Sequence, residues 1–197
     1  MIAMTLAEVA DAIGVPAPAG ADGVVVTSVE FDSRKVRPGS LFVALVGEHT
    51  DGHLFAEAAA AAGAVAVLGS RQVPALPTLV VAGEPWPGSV TGNPAVDQSG
   101  PVLAALSRLA HHVAGRLVAD GLTVVGVTGS AGKTSTKDLI SAVLAHAGAV
   151  VAPPESFNNE LGYPYTVLRA DETTDFLVLE LSARGVGHIA ALTEIAR

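Results

Sequence analysis

The sequence of 197 residues predicts an α/β fold in which helices pack on a mainly parallel sheet. Short apolar runs typical of buried strands alternate with amphipathic helical stretches, an order that favours parallel pairing. Half of the residues are hydrophobic, yet no apolar run is long enough to span a bilayer. The chain contains no cysteine, which excludes a disulfide framework and a thiolate metal site.

The N-terminal part begins with a helix signal and continues with strand signals. Thr5 and Glu8 have the spacing of a capping box, and Gly14 is expected to end the helix that follows. Polar loops are expected at 31–39 and 47–53. Strands are predicted at 24–29, 41–46, 64–68 and 78–82, with a helix at 54–62. We therefore expect a small α/β domain over residues 1–83.

The remainder predicts a second α/β domain over residues 101–197, after a linker or loop at 84–100 that is rich in proline and glycine. A helix is indicated by apolar residues at Leu103, Leu106, Leu109, Ala110, Val113 and Leu117. Strands are predicted at 122–127, 150–151 and 176–181, with helices at 135–147 and 189–195. The helix at 135–147 is expected to turn Leu139, Ile140, Val143 and Leu144 inward.

Charge and the first residues narrow the class of protein. Eleven Lys and Arg against nineteen Asp and Glu give a net charge of −8. Nucleic-acid binders usually carry a basic stripe, and anionic membranes attract basic segments, so neither partner is expected. The first residues contain Glu8 and Asp11 and lack a basic segment, which argues against a signal peptide. We expect a cytoplasmic protein without a membrane span.

A glycine-rich loop at 128–134 carries the strongest chemical signal. It follows a predicted strand, ends in Lys133 and Thr134, and leads into a predicted helix. Glycines let backbone N–H groups face phosphate oxygens, and the helix N-terminus adds partial positive charge. Lys133 would reach the β- and γ-phosphates, and the Thr134 hydroxyl would bind Mg²⁺. The alternative is a plain glycine-rich turn with a solvated lysine.

A single acid, Glu180, ends the apolar strand predicted at 176–181. Such an acid can hold Mg²⁺ beside a phosphate loop. A glutamate at a strand end is often only structural, and the loop upstream favours the metal role here.

Four segments in order resemble the Mur ligases, which make the cytoplasmic precursor of peptidoglycan. They are TGSAGKTS at 128–135, DSRKVRPGSLFVALVG at 32–47 with DGH at 51–53, SFNNELG at 156–162, and ELSARGVGHI at 180–189 followed by LTEI. The family's loop is TGxxGKT[ST], shorter than the strict phosphate-loop pattern. Ser182 and His188 stand where the family usually has glycine and an acid.

The resemblance implies an ATP-dependent amide ligase of peptidoglycan precursor synthesis. The four segments are most similar to those of members that add D-alanyl-D-alanine to UDP-N-acetylmuramoyl-tripeptide through an acyl phosphate. ATP and Mg²⁺ are the implied cofactors, and a monomer is expected for the full-length protein. Family members are longer and have three domains, so residues 1–197 alone are expected to be inactive.

The resemblance also assigns residues to roles. Lys133 and Glu180 would be catalytic, and Thr134 with Glu180 would hold the metal. Ser33, Arg34, His49, Thr50 and Asn158 would bind the UDP-linked substrate. The nucleotide would be held by Thr128, Gly129, Ser130, Ala131, Gly132, Lys133, Thr134, Ser135 and Asn159. A turn at the two asparagines and a surface role for Arg34 are the alternatives.

Two further readings stay open. One is a family member that adds the amino acid preceding D-alanyl-D-alanine in the peptide. The SFNNELG segment disfavours this interpretation. The other is a non-catalytic module that binds a nucleotide or a UDP-sugar.

Overall fold

A computed structural model describes residues 1–83, 94–154, 157–183 and 185–196. It has the predicted α/β architecture. The strands are β1 (Met4–Thr5), β2 (Val25–Val26), β3 (Ser28–Glu30), β4 (Ser40–Val43), β5 (Ala64–Gly69), β6 (Thr78–Val80), β7 (Thr123–Val127), β8 (Val150–Val151) and β9 (Phe176–Glu180). The helices are α1 (Leu6–Ile13), α2 (Ala56–Ala61), α3 (Pro94–Ala119), α4 (Lys133–Leu144), α5 (Gly162–Val167) and α6 (His188–Thr193).

The chain forms two compact units, Ile2–Leu109 and Ala110–Arg197 together with Met1. In the first unit, β3, β4, β5 and β6 form a parallel sheet in that order, and β1 pairs with β2 antiparallel. Strand β4 is buried along its whole length, as its continuous apolar run predicts. The core around it includes Phe42, Ala59 and Val67.

The N-terminal capping box is confirmed. The Thr5 hydroxyl accepts a hydrogen bond from the Glu8 N–H at 3.2 Å, and the Glu8 carboxylate accepts one from the Thr5 N–H at 2.6 Å. These bonds satisfy backbone donors that the first turn of a helix cannot pair internally. Gly14 ends α1 with a φ of 73°, a conformation that glycine adopts without strain.

A polar network that the sequence did not predict connects the loop after β4 to the end of β5. The Ser70 N–H donates to His53 Nε2 at 3.1 Å, so the proton of the neutral ring lies on Nδ1, which donates to Asp51 Oδ1 at 2.6 Å. Arg71 donates to the other Asp51 oxygen at 2.6 Å. A Cβ atom at Gly69 would lie 2.6 Å from His53 Nε2, so a larger residue at this position would force the His53 ring to shift.

Helix α3 corrects the predicted linker at 84–100. The helix begins at Pro94, within that range, and contains Pro101; residues 84–93 lie outside the described residues. Ser99 anchors this part of the helix, because its hydroxyl accepts a hydrogen bond from the Val46 N–H at 2.8 Å and donates one to the Val46 carbonyl at 3.0 Å. Arg108 donates to the Ile13 carbonyl at 2.9 Å. The six apolar residues predicted to share a face of this helix are all buried.

The second unit contains a parallel sheet in the order β7, β9, β8. Helix α4 corrects the predicted inward face, because Leu139 and Val143 are 69% and 70% exposed. Lys137 is the buried residue, and Ile140 and Leu144 are half-buried on the same face. At 100° per residue, Leu139 and Val143 fall on the opposite side of the helix. Among the described helices, none combines the length and hydropathy of a membrane span.

Replacing Thr5 with alanine is expected to lower the free energy of unfolding by about 1 kcal/mol, since it removes the hydroxyl of the capping box. Urea denaturation followed by circular dichroism measures the change. Thr5→Ser keeps the hydroxyl and serves as the control. Equal stability of the alanine and serine variants would contradict the assigned cap.

Asp51 is expected to make stability depend on pH. Burial raises its pKa, but hydrogen bonds from the His53 side chain and backbone and from Arg71 outweigh burial and hold the pKa at about 2. The unfolded value is 3.8, so this stabilisation is present above pH 3.8 and is lost as pH falls towards 2. Unfolding free energies of the native protein and Asp51→Asn should therefore converge across that range. A difference that stays constant with pH would contradict the assignment.

Candidate functional site

The glycine-rich loop connects β7 to α4 as the sequence predicts. Residues 128–132 are exposed, and α4 begins at Lys133 directly after Gly132. Gly132 has a φ of 77° and Gly129 a φ of 149°, so the loop uses glycine where other side chains would be strained. The Nζ of Lys133 donates to the Gly129 carbonyl at 2.8 Å and therefore lies over the loop. The exposed loop and the amino end of α4 together offer N–H donors to an anion.

Glu180 lies beside this loop, at the carboxyl end of β9. Its carboxylate is 1% exposed. One oxygen accepts a hydrogen bond from the Thr134 hydroxyl at 2.9 Å, and the other accepts one from the Asn158 amide at 2.7 Å. Both donors are neutral groups, and a buried carboxylate favours a cation nearby. The sequence predicted that Thr134 and Glu180 act together, and the structure brings them into contact.

The oxygens of Thr134 and Glu180 are the hard ligands that Mg²⁺ prefers. In nucleotide sites this ion usually takes one or two protein oxygens and completes its octahedron with phosphates and water. The described residues contain no group of three or more His, Asp or Glu side chains arranged for a metal. One hydroxyl and one carboxylate fit the small set of protein oxygens that a nucleotide-bound Mg²⁺ takes.

The two adjacent asparagines have different partners. Asn158 contacts Glu180 and therefore lies in the second unit next to the phosphate loop, although its predicted role was substrate binding. Asn159 accepts a hydrogen bond from the Gly162 N–H at 2.8 Å through its side-chain oxygen, at the start of α5. This bond satisfies a backbone donor, as a turn would. Nucleotide binding by Asn159 and substrate binding by Asn158 stay predictions.

Three charged or titratable residues near this site were missed by the sequence analysis. Lys137 is buried, and its Nζ donates to the Pro153 carbonyl at 2.9 Å and lies 2.8 Å from Asp138. His188 lies 3.3 Å from Glu160, and both residues are buried. Lys137 follows Lys133 by one helical turn, and Glu160 follows the asparagines directly. The available signals were this proximity along the chain and, for His188, its place where the family usually has an acid.

The first unit contains a cavity of about 580 Å³ beside the loops after β3 and β4. Ser33, Arg34 and Thr50 line it, so three of the residues predicted to bind substrate meet there. His49 is exposed and is not among the lining residues. The remaining lining residues are mostly apolar or aromatic: Phe31, Asp32, Phe42, Leu45, Gly47, Gly52 and Phe55.

Arg34 is held in a bidentate pair with Asp32. Its Nε and Nη2 donate to the two carboxylate oxygens at 2.9 and 2.8 Å. Side-chain and backbone hydrogen bonds from Arg34 lower the pKa of Asp32 to about 2. The guanidinium is 86% exposed, so it can also meet an anion at the cavity mouth. A planar fork of this kind suits a phosphate or a carboxylate.

Two family models match the chain without overlap. The model of the Mur ligase family, catalytic domain, matches residues 25–119. The model of the Mur ligase middle domain matches residues 127–197. The boundary between the matches falls just before the phosphate loop.

Individual relatives agree with the family models. The UDP-N-acetylmuramoyl-tripeptide–D-alanyl-D-alanine ligase of Mycobacterium leprae is 54% identical over the whole chain, which covers 40% of that protein. A Thermotoga maritima MurF ligase solved with ADP is 32% identical, with a TM-score of 0.67 over 87% of this chain and 35% of that one. A MurF from Acinetobacter baumannii shares the fold, with 24% identity and a TM-score of 0.75 over 98% of this chain and 38% of that one.

The chain thus spans about 40% of the length of the curated relative described above. Within that span, the phosphate loop, Glu180 and the asparagine segment all fall inside the match to the middle-domain model. The chain belongs to the Mur ligase family.

Proposed function

We propose that this chain supplies the nucleotide site and the UDP-substrate site of an ATP-dependent ligase. The ligase adds D-alanyl-D-alanine to UDP-N-acetylmuramoyl-tripeptide in peptidoglycan synthesis. The observation that carries the proposal is the contact between Thr134 of the phosphate loop and the buried Glu180. The choice of substrates is supported by the Mycobacterium leprae relative at 54% identity, a UDP-N-acetylmuramoyl-tripeptide–D-alanyl-D-alanine ligase.

The proposed reaction joins a carboxylate to an amine in two steps. An oxygen of the tripeptide carboxylate attacks the γ-phosphorus of ATP, and the bond to the bridging oxygen breaks, releasing ADP. The amine of D-alanyl-D-alanine then attacks the carbonyl of the acyl phosphate, loses a proton, and expels inorganic phosphate. The first step brings two anions together, so the site has to offset their repulsion.

The described residues fit that requirement. Lys133 lies over the loop and would contact the β- and γ-phosphates, while the loop N–H groups and the amino end of α4 add partial positive charge. Thr134 and Glu180 would hold Mg²⁺, which supplies charge neutralisation at the phosphates. Asn158 orients the Glu180 carboxylate through its 2.7 Å hydrogen bond.

The cavity of the first unit fits a nucleoside diphosphate. Phe31, Phe42 and Phe55 offer apolar surface for a base, and Arg34 offers a fork for a diphosphate. We assign Ser33, Arg34 and Thr50 to the UDP part of the substrate, and Asp32 to holding the Arg34 fork in place.

The two proposed binding roles follow the predicted domains: residues 1–83 bind the UDP-linked substrate, and residues 101–197 bind ATP. Because the chain covers 40% of its Mycobacterium leprae relative, we expect residues 1–197 alone to make no product. A cytoplasmic location and a monomeric full-length protein stay predictions.

Lys133→Ala in the intact gene product is expected to lower ligation by at least about a hundredfold, because it removes the cation that faces the transferred phosphoryl group. The assay supplies UDP-N-acetylmuramoyl-tripeptide, Mg-ATP and D-alanyl-D-alanine, and measures pentapeptide by chromatography. Arg116→Ala removes an exposed cation elsewhere in the chain and serves as the control.

The same assay separates the proposal from its alternatives. A wild-type protein that makes no pentapeptide but adds a free amino acid to a shorter muramoyl peptide would establish the amino-acid-adding ligase instead. Nucleotide binding without either product would indicate a non-catalytic module.

Arg34→Lys is expected to raise the KM for the UDP-linked tripeptide about tenfold and to leave kcat nearly unchanged, because lysine keeps the charge but loses the bidentate fork. Steady-state kinetics with the tripeptide as varied substrate measures this. Lys35→Arg, at the neighbouring position, is the control. A fall in kcat at an unchanged KM would contradict a role in substrate binding.

A further inference from the structure

A buried contact outside the proposed metal site joins Glu160 and His188. The His188 Nε2 lies 3.3 Å from Glu160 Oε1. His188 is only 3% exposed and Glu160 only 6%. Polar side chains are costly to bury without compensating partners. The two atoms are in polar contact inside the second unit, without the geometry of a hydrogen bond.

Glu160 belongs to a short segment, 157–161, in which successive polar side chains hold different elements. Asn158 bonds to Glu180 at the end of β9, and Asn159 bonds to the Gly162 N–H at the start of α5. Glu160 then contacts His188, the first residue of α6. Three consecutive residues thus fix the segment to three elements.

The segment is also held through its backbone. The Ser182 N–H donates to the Asn158 carbonyl at 3.3 Å, just after β9 ends. Asn158 is therefore held between the exit of β9 and the segment that Glu160 ties to α6. Because Asn158 and Glu160 are two residues apart, a shift of Glu160 would be transmitted to the amide that contacts Glu180.

We propose that Glu160 and His188 form a positioning pair, which orients Asn158 against Glu180 and thereby sets the affinity of the site for Mg²⁺ in the presence of nucleotide. The inference rests on the proposed function, in that Thr134 and Glu180 are taken to hold the metal. Neither member of the pair touches the ion or the nucleotide. Their effect passes through Asn158.

The test measures ADP affinity of the intact gene product by calorimetry, with and without Mg²⁺. His188→Leu should reduce the Mg²⁺-dependent gain in affinity on the order of tenfold, as losses of supporting residues around metal ligands commonly do. His188→Gln, which keeps a polar side chain able to reach Glu160, should keep the gain within about twofold of wild type.

Thr166→Val is the matched control. It removes a buried hydrogen bond of 2.7 Å from the Thr166 hydroxyl to the Gly162 carbonyl, in the helix next to the segment, without altering Asn158. This variant should keep the full Mg²⁺-dependent gain. A His188→Leu protein that loses no more of the gain than Thr166→Val would show that the pair is merely structural, and the inference would be wrong.

Two outcomes separate this inference from the proposed function. If wild-type protein binds ADP equally well with and without Mg²⁺, the metal assignment at Thr134 and Glu180 fails and the inference fails with it. If wild type shows the Mg²⁺ effect and the leucine variant keeps it, only the inference fails. If His188→Leu does not fold, Glu160→Gln decides: a reduced Mg²⁺ effect supports the pair, and an unchanged effect overturns it.

Discussion

The candidate nucleotide site depends on the register between two parallel strands. Val127, the last residue of β7, pairs with Glu180, the last residue of β9. The Leu181 N–H donates to the Val127 carbonyl at 2.9 Å and extends the ladder one residue past the end of β9. Since strands of a parallel sheet finish at the same edge, this pairing brings the phosphate loop and the acid together. A slip of one residue would turn the Glu180 side chain to the other face of the sheet.

The sequence predicted the parts of this site that depend on local order. A strand, a glycine loop, Lys133, Thr134 and a helix follow one another along the chain, so their arrangement needs no distant contact. Glu180 was predictable as the polar end of an apolar strand. The contact between Glu160 and His188 was not, because nothing in either segment indicates that α6 begins beside the asparagines. Long-range pairing of single residues leaves no periodic signal in one sequence.

Other differences between the predictions from sequence and the structure have the same physical reason, because contacts between distant segments decide them. Leu139 and Val143 were expected inside because they are apolar, but the buried face of α4 is set by Lys137, whose amine bonds to the Pro153 carbonyl. In the first unit, Ser33, Arg34 and Thr50 line one cavity and the exposed His49 does not, and the substrate-binding roles of all four stay predictions. The network of Asp51, His53 and Arg71 joins residues far apart in sequence, so only the folded chain shows it.

The hydrogen bonds of helix α3 affect how the protein can be dissected. Ser99 satisfies both backbone groups of Val46, and Arg108 satisfies the carbonyl of Ile13. A fragment cut after residue 83 would lose all three bonds and leave polar backbone groups without these partners in the loop after β4 and at the end of α1. A fragment that extends through Leu109 keeps them. A fragment made for crystallisation or ligand screening therefore has to extend at least through Arg108 to keep these bonds.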